Sequence, residues 1–168
     1  KGTMASRLSK KYNLVNIDTG ATYRCVTLEM MNQNIGMDEE EKIAEMLKSI
    51  QIELSTEKGK QKVFLNGQDV TDKIRSKEVS ANVSPVSSIK QVRLAMGGLQ
   101  RKMAQGKDVI MEGRDIGTVI FPNADVKIYL DANVEVRAKR RVKQNEEKGI
   151  EMSYEEVLEN IKKRDKND

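Results

Sequence analysis

The chain has 168 residues, the length of one domain with room for a substantial core. Its 30 lysine and arginine residues against 26 acidic ones give a net charge of +4, which favours anionic ligands without separating a nucleotide from a nucleic acid. The absence of histidine excludes Ser-His catalysis and histidine-ligated metals, and the single cysteine excludes an internal disulfide and a multi-cysteine zinc site. Chemistry that depends on positioning and positive charge survives both exclusions.

Composition also bears on location and on the chain ends. No apolar run is long enough to cross a membrane and nothing resembles a secretory signal, so we expect a cytoplasmic protein. Aromatic residues make up only 4% of the chain, which argues against base-stacking platforms for single strands. The chain starts at Lys1 without a methionine and stops at Asp168 within a helical pattern. We therefore expect flanking residues beyond both ends, including an N-terminal strand and loop.

Residues 1–51 are predicted to form the first part of an α/β core. A helical repeat opens the chain, and a short apolar strand follows at 14–17. The next helix begins in residues 18–24, which read Asp-Thr-Gly-Ala-Thr-Tyr-Arg. Asp38 and Glu41 have the spacing of a capping box, which predicts the start of a third helix.

Residues 52–72 differ in pattern and are predicted to form an antiparallel β insertion. The pair Asn66-Gly67 is a strong signal for a two-residue hairpin turn. Short runs of strand length lie at residues 52–55, 63–65 and 68–71.

Residues 73–132 are predicted to contain further helices, with a break between them, and then the return of the chain to the core. Pro85 disfavours the helical conformation at the residue before it, so the break is placed there. The next helix, at about 87–105, contains Gly97 and Gly98, which weaken it and suggest close packing against a neighbour.

Two apolar runs, at 108–111 and 126–130, are predicted as buried strands of a parallel sheet. Between them lies a charged, glycine-rich elbow containing Arg114 and Asp115. Ligands bind beyond the carboxyl ends of such strands, and these two residues offer donors for phosphate and acceptors for an amino or hydroxyl group. The alternative is that both residues only pair with other charges in a loop.

The last region, residues 133–168, is predicted to contain a strongly basic helix over 133–148 and a final helix. Ser153 and Glu156 make a capping box for that final helix. Such a basic helix is often only a solvated face. Two arginines on one side of the basic helix, together with one from the final helix, could instead form a mobile clamp on one anion: Arg137, Arg141 and Arg164.

Two further groups of residues suit a nucleotide. Thr19, followed one turn later by Tyr23 and Arg24, would suit a ribose, a base and a phosphate, although a helix with an N-cap threonine would look the same. A second group precedes the first helix like the tail of a phosphate-binding loop: Lys1, Gly2 and Thr3.

The order of these motifs along the chain closely resembles the bacterial cytidylate kinases, which are P-loop nucleoside monophosphate kinases. The resemblance covers essentially the whole chain, and residues 18–24 and 113–122 carry it most specifically. It implies a three-layer αβα fold with a parallel central sheet, an inserted β-rich acceptor region and a helical lid. It also implies transfer of the γ-phosphoryl group of ATP to CMP or dCMP with Mg²⁺, by a monomer.

The resemblance implies roles for individual residues. Lys1 would be the loop lysine and Thr3 its hydroxyl neighbour. Gly2 stands where many P-loops have the magnesium-binding serine or threonine, so phosphates and water would hold the ion without a direct protein ligand. The lid arginines named above would neutralise the transferred group. The residues that would bind CMP are Thr19, Tyr23, Arg24, Ser84, Arg93, Arg114 and Asp115.

Within that set the implied roles differ. Ser84 and Asp115 would read the amino edge of cytosine, with Arg114 near that edge or the sugar-phosphate. Arg24, together with Arg93, would hold the α-phosphate. The implied regions are the core over 1–51, the β insertion over 52–72, the acceptor helices and return to the core over 73–132, and the lid over 133–168.

Three other readings stay open at this point. A related kinase for UMP or AMP would keep the lysine and the lid arginines, but Ser84 and Asp115 would not govern base choice. A nucleic-acid-binding protein would use the basic helix, and its binding would weaken steeply with salt. The third reading is a structural fragment without activity.

Overall fold

The computed structural model describes residues 1–57, 60–147 and 149–167; the side chains of Glu57, Lys60, Arg164 and Asn167 lie outside the described part. The chain divides into two compact units, Lys1–Asp125 and Val126–Asp168. Each unit is described by itself below.

A parallel pair of strands lies at the centre of the first unit. β1 (Val15–Asp18) pairs with β5 (Val109–Glu112), and the register aligns Asp18 with Glu112. Both strands therefore end at the same edge of the sheet. α1 (Gly2–Tyr12) packs against both strands. This confirms the predicted mixed α/β architecture with a parallel sheet.

The second sheet is antiparallel, as the hairpin signal predicts. Asn66 and Gly67 both have positive φ, 49° and 79°, which is the geometry of a tight hairpin turn. The Asn66 side chain also accepts a hydrogen bond from the backbone N–H of Gln51 at 2.9 Å, which ties this turn to the residue before the first strand of the sheet. The three strands, in spatial order, are β2 (Ile52–Glu57), β3 (Lys60–Leu65) and β4 (Gln68–Asp69).

Helices connect the two sheets and enclose the main core. Cys25 is completely buried in this core, and burial raises the pKa of its thiol to about 12, so the thiolate is not available for chemistry near neutral pH. The core is otherwise aliphatic and rich in methionine. The helices are α2 (Thr19–Asn32), α3 (Glu40–Ser49), α4 (Lys77–Ser88) and α5 (Lys90–Ala104), with a 3₁₀ turn at Lys73–Arg75.

The predicted helix break before Pro85 is wrong. Helix α4 runs through Pro85 and ends at Ser88, and the break falls at Ile89, whose φ and ψ of −66° and 122° are extended. Pro85 is exposed, and so is Ala81, whose carbonyl loses its intrahelical partner because proline has no N–H. Water can satisfy that carbonyl, so the helix tolerates the proline.

The prediction of a second buried strand at residues 126–130 is also wrong. In the described part of the chain no strand pairs with this segment, and its apolar side chains are exposed, with Tyr129 at 91%. A strand is held by backbone hydrogen bonds to a neighbour, and the apolar run by itself supplies none. The segment belongs to neither sheet.

The second unit contains α6 (Val134–Glu146) and α7 (Tyr154–Asn167), packed on each other through buried Ala138 and Val157. The predicted capping box of α7 is confirmed: the N–H of Glu156 donates to the Ser153 hydroxyl and the N–H of Ser153 to the Glu156 carboxylate. Across the helices of the described chain, none is both long and apolar enough to traverse a lipid bilayer.

The capping box predicted for α3 is wrong. The N-cap is Glu39, without a side-chain cap, and the helix begins at Glu40. The reason is a separate turn before the helix, in which the Glu39 carboxylate accepts from the N–H of Gly36 at 2.7 Å. This local turn moves the helix start beyond Asp38.

The two adjacent glycines of α5 provide a test of the packing. We expect Gly98→Ala to raise the free energy of unfolding by about 0.5–1 kcal/mol, because alanine favours helix and nothing lies within 4 Å of the added Cβ. Gly97→Ala should lack this gain, because its Cβ would lie 3.3 Å from Cδ1 of Ile120. Urea unfolding of both variants measures the difference, and equal gains would contradict the close packing at Gly97.

Candidate active site

The candidate site lies at the shared carboxyl edge of β1 and β5. The Thr19 hydroxyl, directly after β1, donates to the carbonyl of Glu112, the last residue of β5, at 2.7 Å. The loop that follows passes so close that a Cβ on Gly113 would lie 2.7 Å from the Thr19 hydroxyl oxygen. Only glycine fits there, and the elbow predicted to bind a ligand starts at this point.

Three charged groups gather at the same edge. The ammonium group of Lys1 donates to the carbonyl of Gly113 at 3.3 Å. Glu112 is half-buried, and burial, reinforced by the negative charge of Asp18, raises the pKa of its carboxyl, while Lys1 opposes the rise. A Cβ on Gly2 would meet the Glu112 carboxylate at 3.0 Å.

The structure thus brings two of the three predicted phosphate-loop residues to the strand ends. Lys1 is the N-cap of α1 and Gly2 its first residue, while Thr3 is exposed in the first turn. In the sequence, only its place at the end of a predicted strand marks Glu112.

Asp115 is in contact with another predicted site residue. A guanidinium nitrogen of Arg93, on α5, lies 2.6 Å from its carboxylate, and the two side chains are 46% and 25% exposed. Asp115 therefore does pair with another charge, as the alternative reading expects. Its partner, however, is a residue of the implied CMP site. Arg114, beside it, is exposed.

Tyr23 faces the same ion pair from α2. Burial raises the pKa of Tyr23 and the charge of Asp115 raises it further, while Arg93 and a hydrogen bond with Gln100 act in the opposite direction. The charges of Asp115 and Arg93 therefore both act on the phenol of Tyr23.

Gln100 was missed by the sequence reasoning. It is buried, and its amide donates to the Thr22 hydroxyl at 3.0 Å, which in turn donates to the carbonyl of Thr19 at 2.8 Å. This chain of hydrogen bonds joins α5 to the start of α2. A single glutamine in a helical pattern carries no signal for such a role.

Arg24 points toward the region before and within α4. Its guanidinium donates to the carbonyl of Ile74 at 2.9 Å and to the hydroxyl of Ser80 at 3.0 Å. Ser84 lies one turn beyond Ser80 on α4 and is half-buried, and its carbonyl accepts from the hydroxyl of Ser87. Sequence reasoning missed Ser80, since a serine within a helix resembles many others.

The predicted lid arginines lie in the second unit. Arg137 forms a two-point ion pair with Asp165, with one nitrogen–oxygen distance of 2.9 Å, and this hydrogen bonding raises the pKa of the guanidinium above its ordinary value. Arg141 is exposed one turn later on α6. The side chain of Arg164 lies outside the described residues.

The described residues supply few protein ligands for a hard divalent cation. Among the described residues no group of three or more carboxylate or cysteine side chains could hold a metal ion. Asp18 and Glu112 supply two carboxylates at adjacent strand ends. Mg²⁺ takes few protein ligands when phosphates and water complete its octahedron, so such a small oxygen set fits it.

Comparison with known proteins agrees with this geometry. The family model described as cytidylate kinase matches residues 1–168. The cytidylate kinase of Caldanaerobacter subterraneus subsp. tengcongensis is 47% identical over 165 residues, which cover 98% of this chain and 72% of the relative. That of Bacillus subtilis is 46% identical over 168 residues, covering 100% of this chain and 75% of the relative. The chain therefore belongs to the cytidylate kinase family of nucleoside monophosphate kinases.

Proposed function

We propose that this protein transfers the γ-phosphoryl group of ATP to CMP or dCMP, giving ADP and CDP or dCDP. The observation that carries the proposal is the meeting of Tyr23, Arg93 and Asp115 beside the strand ends where Lys1 lies. These side chains come from four separate parts of the chain. Membership of the cytidylate kinase family supports the choice of acceptor.

Asp115 and Ser84 are proposed to read the base. An ionised carboxylate only accepts hydrogen bonds, and the exocyclic amino group of cytosine only donates them. Uracil has a carbonyl at the same position, so it would face the carboxylate with a second acceptor. A guanidinium nitrogen of Arg93 lies 2.6 Å from the Asp115 carboxylate and would keep that carboxylate oriented while the base enters.

The remaining acceptor residues are proposed to hold the sugar and phosphate. Arg24, whose guanidinium lies near Ser80 and the carbonyl of Ile74, would bind the α-phosphate together with Arg93. Arg114 is exposed beside Asp115 and would contact the base or the sugar-phosphate. Thr19 and Tyr23 would form the opposite wall of the pocket.

Lys1 and Gly2 are proposed to face the phosphates of ATP, with Thr3 nearby. The contact of Lys1 with the carbonyl of Gly113 is long, 3.3 Å, and an ionised phosphate oxygen makes a stronger partner for an ammonium group. Phosphates and water would hold Mg²⁺, with Asp18 and Glu112 as the carboxylates available to its water shell. When bound, the ion neutralises charge on the phosphates.

No general base is required of the protein, because the attacking oxygen of the acceptor phosphate is already ionised at neutral pH. The chain, which has no histidine, meets this requirement. Arg137, Arg141 and Arg164 are proposed to spread positive charge over the transferred group. Arg137 would exchange its ion pair with Asp165 for a phosphate.

The family match does not favour a kinase for UMP or AMP, or a nucleic-acid-binding protein. The implied regions, with boundaries at residues 51, 72 and 132, are part of this proposal. So are the monomeric state and the cytoplasmic location.

The base-reading role is tested by Asp115→Asn. We expect kcat/KM for CMP to fall roughly 100-fold, because the amide presents a donor where the carboxylate presented an acceptor, and kcat/KM for UMP to fall much less. ADP formation with CMP, dCMP, UMP and AMP measures both values. Asp125→Asn, an exposed carboxylate in the following loop, is the matched control and should behave as wild type. Equal losses for CMP and UMP would remove Asp115 from base recognition.

The lid role is tested by Arg141→Ala. We expect kcat to fall roughly 100-fold with KM for CMP nearly unchanged, because the lost charge acts on the transferred group. Arg140→Ala is the control, since Arg140 is the adjacent exposed arginine of α6 and points to a different side of the helix. Steady-state kinetics of the two variants decide the matter: a similar loss in both would reduce the role of Arg141 to general positive charge.

A further inference from the structure

Helix α5 presents three residues at intervals of four toward one segment of the chain. They are Arg93, Gly97 and Arg101, and residues so spaced lie along one side of a helix. The segment they face is the loop at residues 113–121, called the acceptor loop here, which contains Asp115 and a π-helical turn at Ile116–Ile120.

The first contact, between Arg93 and the Asp115 carboxylate, holds the beginning of the acceptor loop. From Asp115 the loop turns back on itself, because the carbonyl of Asp115 accepts from three successive N–H groups, those of Thr118, Val119 and Ile120, at 3.3, 2.8 and 3.3 Å. The backbone position of Asp115 therefore depends on where the residues at 119 and 120 are held.

Arg101 holds those two residues. Its Nε donates to the carbonyl of Ile120 at 3.1 Å and its Nη2 to the carbonyl of Val119 at 2.9 Å. A planar guanidinium can span two neighbouring carbonyls with fixed geometry, whereas an ammonium group is a single point of charge. The fork thus fixes the far end of the π-helical turn to α5.

Gly97 sets the distance between helix and loop. A Cβ at this position would lie 3.3 Å from Cδ1 of Ile120, whose side chain is buried. The neighbouring Gly98 has nothing within 4 Å of its missing Cβ. Only the glycine that faces the acceptor loop is in close contact.

From these contacts we propose that Arg101 is a positioning residue for acceptor-base selection: by holding the carbonyls of Val119 and Ile120 it sets the backbone from which Asp115 meets the base. The absence of a side chain at Gly97 lets α5 and the acceptor loop lie close enough for these hydrogen bonds. The inference rests on the proposed function, in which Asp115 reads cytosine.

The test compares kcat/KM for CMP and UMP in Arg101→Gln and Arg101→Lys, together with KM for ATP. We expect the CMP-to-UMP ratio to fall about tenfold in both variants, since neither side chain has the planar fork of two nitrogens that spans the two carbonyls, while KM for ATP stays as in wild type. A merely structural residue would lower activity with both acceptors alike and leave the ratio unchanged, and that result would overturn the proposal.

A second pair of variants covers the case in which the Arg101 variants do not fold. Gly97→Ala should also lower the CMP-to-UMP ratio, and adding Ile120→Val, which removes the Cδ1 atom in the way, should restore it. Gly98→Ala is the control and should keep the wild-type ratio. An unchanged ratio in Gly97→Ala, or a failure of Ile120→Val to restore it, would count against the proposal.

The two proposals fail in different ways. If wild-type protein showed no turnover with CMP, the proposed function would be overturned, and this inference with it. If wild type prefers CMP to UMP and the variants keep that preference, only the positioning role of Arg101 is overturned.

Discussion

The parallel pairing of β1 with β5 is the constraint on which the candidate site depends. Its register puts Asp18 beside Glu112, so that the chain leaves both strands at one edge. The Thr19 hydroxyl then joins the two exits by its hydrogen bond to the carbonyl of Glu112. The lack of a side chain at Gly113 lets the second exit pass close over the first. A slip in the pairing register of the two strands would move Glu112 away from Asp18 and Thr19, which lie nearly a hundred positions earlier in the chain.

Two signals that act over a few residues predicted the structure correctly, although the capping box predicted for α3 did not form. The Asn66-Gly67 turn and the capping box of α7 form as expected, because each depends only on backbone geometry within one turn. The segment at residues 126–130 shows the limit. An apolar run indicates a tendency to be buried, but a strand also needs a neighbour, and no local pattern names one. The prediction of a helix break at Pro85 was wrong for a related reason. Whether a helix tolerates a proline depends on the exposure of that turn to solvent, and exposure is set by the tertiary structure.

The candidate site was predictable to the extent that its motifs are distinctive. Asp115 stood out in a charged, glycine-rich elbow, and Arg93 entered only through resemblance to a family. The residues that hold them in place carry no such mark. Gln100 and Arg101 are ordinary polar members of a helical pattern, and their roles come from what the fold sets opposite them. Helix α5 thus packs against the core with one side and holds the acceptor loop with another.

The ion pair between Arg93 and Asp115 should respond to salt differently from the exposed charges of the same protein. Its atoms are 2.6 Å apart, with no room for a counterion between them, whereas dissolved salt screens charges beyond about 8 Å at physiological ionic strength. Under the proposed function the exposed Arg141 of α6 would meet its anion across open solvent, and that interaction would belong to the screened regime. Base selection should therefore persist as ionic strength rises, while the capture of phosphate groups weakens. Such a protein would lose speed in concentrated salt before it lost fidelity.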